Sequence, residues 1–309
     1  MKPSYAPIAF FVYNRPDHAR RTLKSLQQCQ EFAKSPLLVF SDGAKSDNDV
    51  EAVKQVRRVV QGLCGENAEI VAADRNQGLA DSVINGVTTV CREYGCAIVV
   101  EDDLLVSPYF LRYMNDGLRR YQQEETVMQI SGHMFPVGTY RDRRQALFLP
   151  MISSWGWATW QRAWQLFDSK AKGWEEMATD KDLRNRFNID GAFNFYRMLE
   201  RQMKGIGSSW AIRWYWSVFN HGGLALFPPR AMVENIGFDG SGTHGWRRSK
   251  NAFCNPDMMQ AGCTFPERIT VIPHDFVTVR RALRHIDRGG PTLWLSLLVD
   301  KIGLTGKGR

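Results

Sequence analysis

The 309-residue sequence predicts an α/β protein built on a doubly wound, mostly parallel central sheet flanked by helices. Three observations predict it. Short apolar runs alternate with helix-like segments through the first hundred residues. Those runs are apolar throughout, as strands covered by helices on both faces are. Polar and acidic residues follow the runs, and such sheets bind ligands beyond the carboxyl ends of their strands.

Residues 8–13, 37–40, 68–73 and 96–100 read as the strands of this first half, and after 127–130 the texture of the sequence changes. Between them, residues 16–29, 49–63 and 79–94 read as helices; the first opens with Pro16 and carries Asp17 in its first turn, both start signals. The strand ends then carry Asn14-Arg15-Pro16, Ser41-Asp42-Gly43, the 74–78 segment with Asn76 and Gly78, and Glu101-Asp102-Asp103. None is a glycine-rich phosphate loop, which counts against a dehydrogenase or a P-loop NTPase. Residues 145–235 hold eight of the ten tryptophans. Within them, 153–160 and 208–216 read as aromatic-rich helix starts, the first with Trp157, Trp160 and Trp164 on one helical stripe. Residues 235–244 hold three glycines and read as a loop.

Composition excludes several classes. With 44% hydrophobic and 23% charged residues the chain is globular. No run approaches the roughly 18 apolar residues of a membrane span, and the first apolar run is too short for a secretory signal. The expected location is therefore cytoplasmic, with the six cysteines reduced thiols. Of the net charge of +8, residues 280–309 supply +5 (seven Lys/Arg against two Asp), which argues against a nucleic-acid partner for the body of the protein. Arg280, Arg281, Arg284 and Arg288 precede an apolar run at 293–299. This pattern fits either a basic amphipathic helix on an anionic membrane surface, peripheral at the inner face of the membrane, or a terminal helix packed on the domain.

Three adjacent carboxylates at a strand end repel one another and need a countercharge. Mg²⁺ or Mn²⁺ would supply it and in turn recruit a diphosphate; the alternative is a solvated turn.

With these residues in hand, the chain resembles GT-A glycosyltransferases, which have a Rossmann-like sheet. The likeness is to the bacterial enzymes similar to alpha-1,3-mannosyl-glycoprotein beta-1,2-N-acetylglucosaminyltransferase. It rests on Asn14-Arg15-Pro16, Ser41-Asp42-Gly43, Glu101-Asp102-Asp103-Leu104, Trp155-Gly156-Trp157, and Asn235 to Gly237 with Gly242 to His244, in family order across residues 8–245. The resemblance implies a metal-dependent transfer of sugar from a nucleotide donor, a UDP-sugar foremost, to a glycan or lipid-linked acceptor. It implies that Asp103 holds the metal and that Asp102 and Glu101 contact ribose and sugar hydroxyls. Asp42 would accept from uracil, Arg15 would lie against base or phosphate, and Asn76 and Gly78 would close over the nucleotide. His244 is either a metal or diphosphate contact or an exposed loop histidine.

The chain is accordingly expected to divide into a donor half (1–130), an aromatic-rich acceptor half with a closing loop (131–275) and, beyond the reach of the resemblance, the basic amphipathic tail (276–309). Trp155, Trp157 and Arg213 are the acceptor-side candidates, and Arg213 otherwise makes a surface ion pair. One departure stands out. Inverting relatives place an aspartate base where this chain has Trp210-Ala211-Ile212-Arg213-Trp214. Glu234 and Asp239 are then the base candidates nearest in sequence. Otherwise the reaction is retaining, or the protein binds a nucleotide-sugar or glycan without turning it over.

Overall fold

The computed structural model describes residues 4–238 and 258–288. Its centre is an eight-stranded sheet in the order β3-β2-β1-β4-β8-β6-β9-β7. These strands are β1 (Ile8–Val12), β2 (Leu37–Ser41), β3 (Ala68–Ala72), β4 (Cys96–Glu101), β6 (Val127–Ser131), β7 (Leu147–Leu149), β8 (Trp157–Trp160) and β9 (Leu224–Phe227). The pairings make β8 and β7 antiparallel to the other six strands, so the sheet is mixed and mostly parallel. A two-stranded antiparallel ribbon joins β5 (Leu104–Val106) to β10 (Val233–Asn235).

The helices of the first half are α1 (Pro16–Leu26), α2 (Asp47–Cys64) and α3 (Leu79–Tyr94). They follow β1, β2 and β3, as the alternation predicts. Each turns an apolar stripe inward; α3 buries Val83, Val87, Val90 and Cys91. Close approach fixes Gly86 in that stripe: a Cβ there would stand 2.6 Å from the Phe11 ring, which stacks on Phe40 at 5.0 Å. After α4 (Phe110–Arg120) come α5 (Gln161–Trp164), α6 (Lys181–Phe187), α7 (Phe195–Met203), α8 (Trp210–Asn220) and α9 (Pro273–Arg288).

Residues 153–160 are not a helix start. Trp157–Trp160 forms β8, buried along its whole length between β4 and β6, and only one helical turn, α5, follows. A strand covered on both faces carries no period-two signal, so tryptophans at 157, 160 and 164 imitate a helical stripe. The second aromatic segment is α8, capped by Ser209, whose Oγ accepts the Ile212 N–H at 3.3 Å. Trp157 stacks on Trp210 at 5.1 Å, and Trp214 donates its indole N–H to Gln129 Oε1 at 2.8 Å. This aromatic core ties β8, β6 and α8 together.

The start of the basic tail is a helix packed on the domain. Asp275 accepts both Arg143 Nη1 (2.5 Å) and Nη2 (2.9 Å) and the Tyr140 hydroxyl (2.9 Å), while Val279 and Leu283 are buried. Arg280 pairs with Asp190, and both Arg280 and Arg284 donate to the Asp190 carbonyl. Two arginines expected on a membrane-facing surface are thus engaged with the domain, and the boundary expected at 275/276 falls inside α9. Residues 289–309, with the apolar run, lie outside the described residues. Among the described residues no helix is long and apolar enough to cross a membrane.

Candidate active site

Six strands end at one edge of the sheet, and that edge gathers the candidate residues. β1 delivers Asn14 and Arg15, β2 delivers Asp42, and β4 ends in Glu101, itself half-buried, before Asp102 and Asp103. At the same edge β6 runs into Gly132 and His133, and β8 starts just after Trp155 and Gly156.

Arg15 is the centre of the charge cluster. Its Nη2 bridges Asp102 Oδ1 and Asp103 Oδ2, the latter at 2.8 Å. Burial works against the guanidinium charge, but the two carboxylates outweigh it and push its pKa up. The countercharge demanded by the acids is therefore an arginine from the neighbouring strand. Asp102 is fixed further: its carbonyl accepts the Thr22 hydroxyl at 2.7 Å.

Asp42 organises a loop. Its Oδ1 accepts the N–H of Gly43 and of Gln77, both at 2.8 Å; its Oδ2 accepts Asn76 Nδ2 (2.9 Å) and the Gly78 N–H (3.0 Å). A carboxylate has about four acceptor positions, and all four are taken. Asp42 thus holds Asn76 and Gly78 in place. Gly43 is required here, because a Cβ would lie 2.4 Å from the Arg75 backbone. Arg57 staples the same strand ends, donating to Ser41 Oγ (3.0 Å) and to the Ala73 carbonyl (3.1 Å). A cleft of 230 Å³ starts beside Asp42 and Gln77 and runs along β2, β3 and α3 as far as Leu38, Glu69 and Glu93.

The β5–β10 ribbon brings residues 235–238 over the acids. The Ile236 N–H donates to the Asp103 carbonyl at 2.8 Å, and a Cβ on Gly237 would stand 2.4 Å from Asp103 Oδ2. Asn235 Oδ1 accepts the Gly237 N–H at 2.8 Å. Side chains alternate along a strand. Asn235 and Val233 therefore share the face turned toward Asp103 and Gly156, and Glu234 stands on the opposite one. As a base candidate it points away from the acids. Asp239 and His244 lie outside the described residues.

Of the acceptor candidates, Trp157 is fully buried in the aromatic core and presents no face to a ligand. Arg213 donates its Nε–H to the Ser209 carbonyl at 2.9 Å, and its neighbours Ala211 and Ile212 are buried. Trp155 differs. Its ring lies 4.6 Å from His133 and 6.0 Å from Phe238, next to Gly237. It is itself buried, and packs between His133 and the 237–238 segment that covers Asp103.

His133 was not singled out from the sequence, although it follows the end of a strand as the other site residues do. Its imidazole is buried, and desolvation lowers its pKa to about 3, so it is neutral at ordinary pH. Its Nδ1 is 3.5 Å from Ser153 Oγ.

A hard divalent cation takes one or two carboxylates and completes its shell with substrate phosphates and water. Among the described residues no three His, Cys, Asp or Glu side chains form a cage. Asp103 Oδ1, which accepts no hydrogen bond among them, fits a cation of that kind when a diphosphate supplies the remaining oxygens.

No protein-family model matches the sequence, and no curated protein does. Solved structures do match. One is GalNAc-T7 with UDP, GalNAc and Mn²⁺, at a TM-score of 0.45 and 10% identity, over 77% of this chain and 46% of that one. Another is the mannosyltransferase PcManGT from Pyrobaculum calidifontis in complex with GDP-Man and Mn²⁺, at 0.37 and 14%, over 71% and 76%. The chain thus spans less than half the length of the first.

Proposed function

We propose that the protein is a GT-A type glycosyltransferase that moves a sugar, a hexosyl or N-acetylhexosaminyl group, from a nucleotide donor to a glycan or lipid-linked acceptor. The observation that carries this reading is the convergence of Arg15, Asp42 with its 76–78 loop, Asp102, Asp103 and Gly237 at one carboxyl edge of the sheet.

In this reading the cleft beside Asp42 takes the nucleotide base, with the 76–78 loop as its wall. Mn²⁺ or Mg²⁺, bound through Asp103, would neutralise charge on the departing diphosphate. Arg15 adds a fixed positive charge beside the same oxygens. Asp102, held by Arg15, faces ribose and sugar hydroxyls. Trp155 and Phe238 form the wall that excludes water from the sugar-bearing bond. A UDP-sugar is the first donor to test, and a cell-surface polysaccharide the first acceptor class. Action at the inner face of a bacterial membrane is part of the same proposal.

The test is release of nucleoside phosphate from a panel of UDP-, GDP-, TDP- and CMP-sugars with Mn²⁺. Release is expected from one donor class and should fall at least about 100-fold in Asp103→Ala, the scale of a lost electrostatic stabiliser. A second reading, a nucleotide-sugar or glycan-binding protein without turnover, draws on buried Ala211 and Ile212 and on the orientation of Glu234. Tight binding of a donor that is never cleaved, with any acceptor offered, would favour it.

A further inference from the structure

Arg15, Asp102 and Asp103 make an unusual arrangement for a cation site, because the cation is already there. The three side chains are 11%, 5% and 15% exposed, so water screens their interaction only in part. Nη2 spends both of its N–H groups on the two carboxylates. The Nε and Nη1 donors take no partner among the described residues, and a guanidinium has five N–H groups in a fork that matches phosphate oxygens. Gly237 closes over Asp103 Oδ2, the oxygen that Arg15 holds, while Oδ1 accepts no hydrogen bond among the described residues.

A divalent ion arriving alone would meet this guanidinium at close range. Asp103 shares its charge with Arg15, and like charges repel strongly where water is scarce. A diphosphate changes the balance. It brings negative charge for both the ion and the unspent Arg15 donors, so the two cations are separated by anionic oxygens in an alternating array.

We propose that Arg15 is the resident counter-cation of the Asp102–Asp103 pair and makes divalent-ion binding conditional on a nucleoside diphosphate. Arg15 is then a positioning residue with a second effect: it keeps the acid pair aligned and closed to free metal until the donor arrives. This inference rests on the proposed donor site and adds the coupling between its two ligands. Coupling of this kind is reciprocal, so the ion must tighten nucleotide binding by the same factor that nucleotide tightens ion binding.

The test is titration of MnCl₂, read as free Mn²⁺ by electron paramagnetic resonance, into wild type, Arg15→Gln and Arg15→Lys. Each is titrated without nucleotide and with UDP or GDP. Wild type should bind Mn²⁺ at least about tenfold more tightly with the accepted diphosphate than without it, within the usual range of site–site coupling. Arg15→Gln should bind Mn²⁺ alone about tenfold more tightly than wild type and show a smaller gain from nucleotide. Arg15→Lys keeps the charge but loses the fork, and should fall between. A thermal melt of each variant verifies folding; if Arg15→Gln does not fold, Arg15→Lys decides alone, with about threefold tighter Mn²⁺ binding expected. Wild type that couples the two ligands while both folded variants bind free Mn²⁺ no better would overturn the role of Arg15 and leave the donor site standing. Wild type that binds no diphosphate, with or without Mn²⁺, would instead overturn the site itself.

Discussion

Asp42 accepts N–H groups from Gly43, Asn76, Gln77 and Gly78, so one buried carboxylate holds the 76–78 loop against the end of β2. Asp42→Ala removes the acceptor from all four and should cost about 3 kcal/mol or more in urea unfolding, the scale of a broken buried network. A loss below about 1 kcal/mol would contradict this role. The sequence singled out Asp42, Asn76 and Gly78, but only the folded loop shows that they bind one another. The acids were legible in the same partial way: three carboxylates at a strand end call for a positive charge, and Arg15 one strand away supplies it.

His133 makes a pH prediction at the same scale. The unfolded imidazole takes a proton near its ordinary 6.5, whereas the folded one resists until about 3. Stability from this group is therefore complete above pH 6.5 and falls by up to about 1.4 kcal/mol per pH unit below it. Between pH 6.5 and 5, His133→Gln should show a shallower slope of unfolding free energy by about one proton. An unchanged slope would refute the buried neutral imidazole.

At the scale of elements, the first three strand–helix units follow the sequence closely, because covered parallel strands and amphipathic helices each carry their own local pattern. The three-residue strands β5, β7 and β10 carry none. They exist through their partners, as Glu234 does opposite Leu105. β8 is the instructive miss, a central strand whose tryptophans fill both sides of the sheet. Helix docking is testable at α9. Although burial raises the Asp275 pKa, hydrogen bonds from Arg143 and Tyr140 outweigh it and hold the carboxyl below its usual 3.8. Its contribution is present above pH 3.8 and lost as pH falls through the lower folded value. Asp275→Asn should weaken the docking of α9 by about 2 kcal/mol at pH 7, seen as faster hydrogen exchange at Val279 and Leu283. Unaltered exchange there would show that the apolar contacts hold the helix alone. At Gly86, a methyl group meets the Phe11 ring at 2.6 Å, so Gly86→Ala should cost about 1–3 kcal/mol in thermal unfolding as α3 lifts from β1.

For the whole molecule, the mixed sheet joins a first half, whose strand ends are polar, to an aromatic-rich half that holds Trp155. The β5–β10 ribbon links them by laying residues 235–238 over Asp103. That linkage came from tertiary pairing between segments some 130 residues apart in the chain, which no local pattern announces. The central claim is that this edge binds a nucleoside diphosphate together with a divalent ion. Calorimetric titration of UDP, GDP, CDP and TDP into the protein, with and without Mn²⁺, tests it most directly, with Asp103→Ala as the control. Binding of one diphosphate that needs Mn²⁺ and is lost in Asp103→Ala is the result the site predicts. A folded protein that takes up none of the four, or binds one equally well without Asp103, would contradict it.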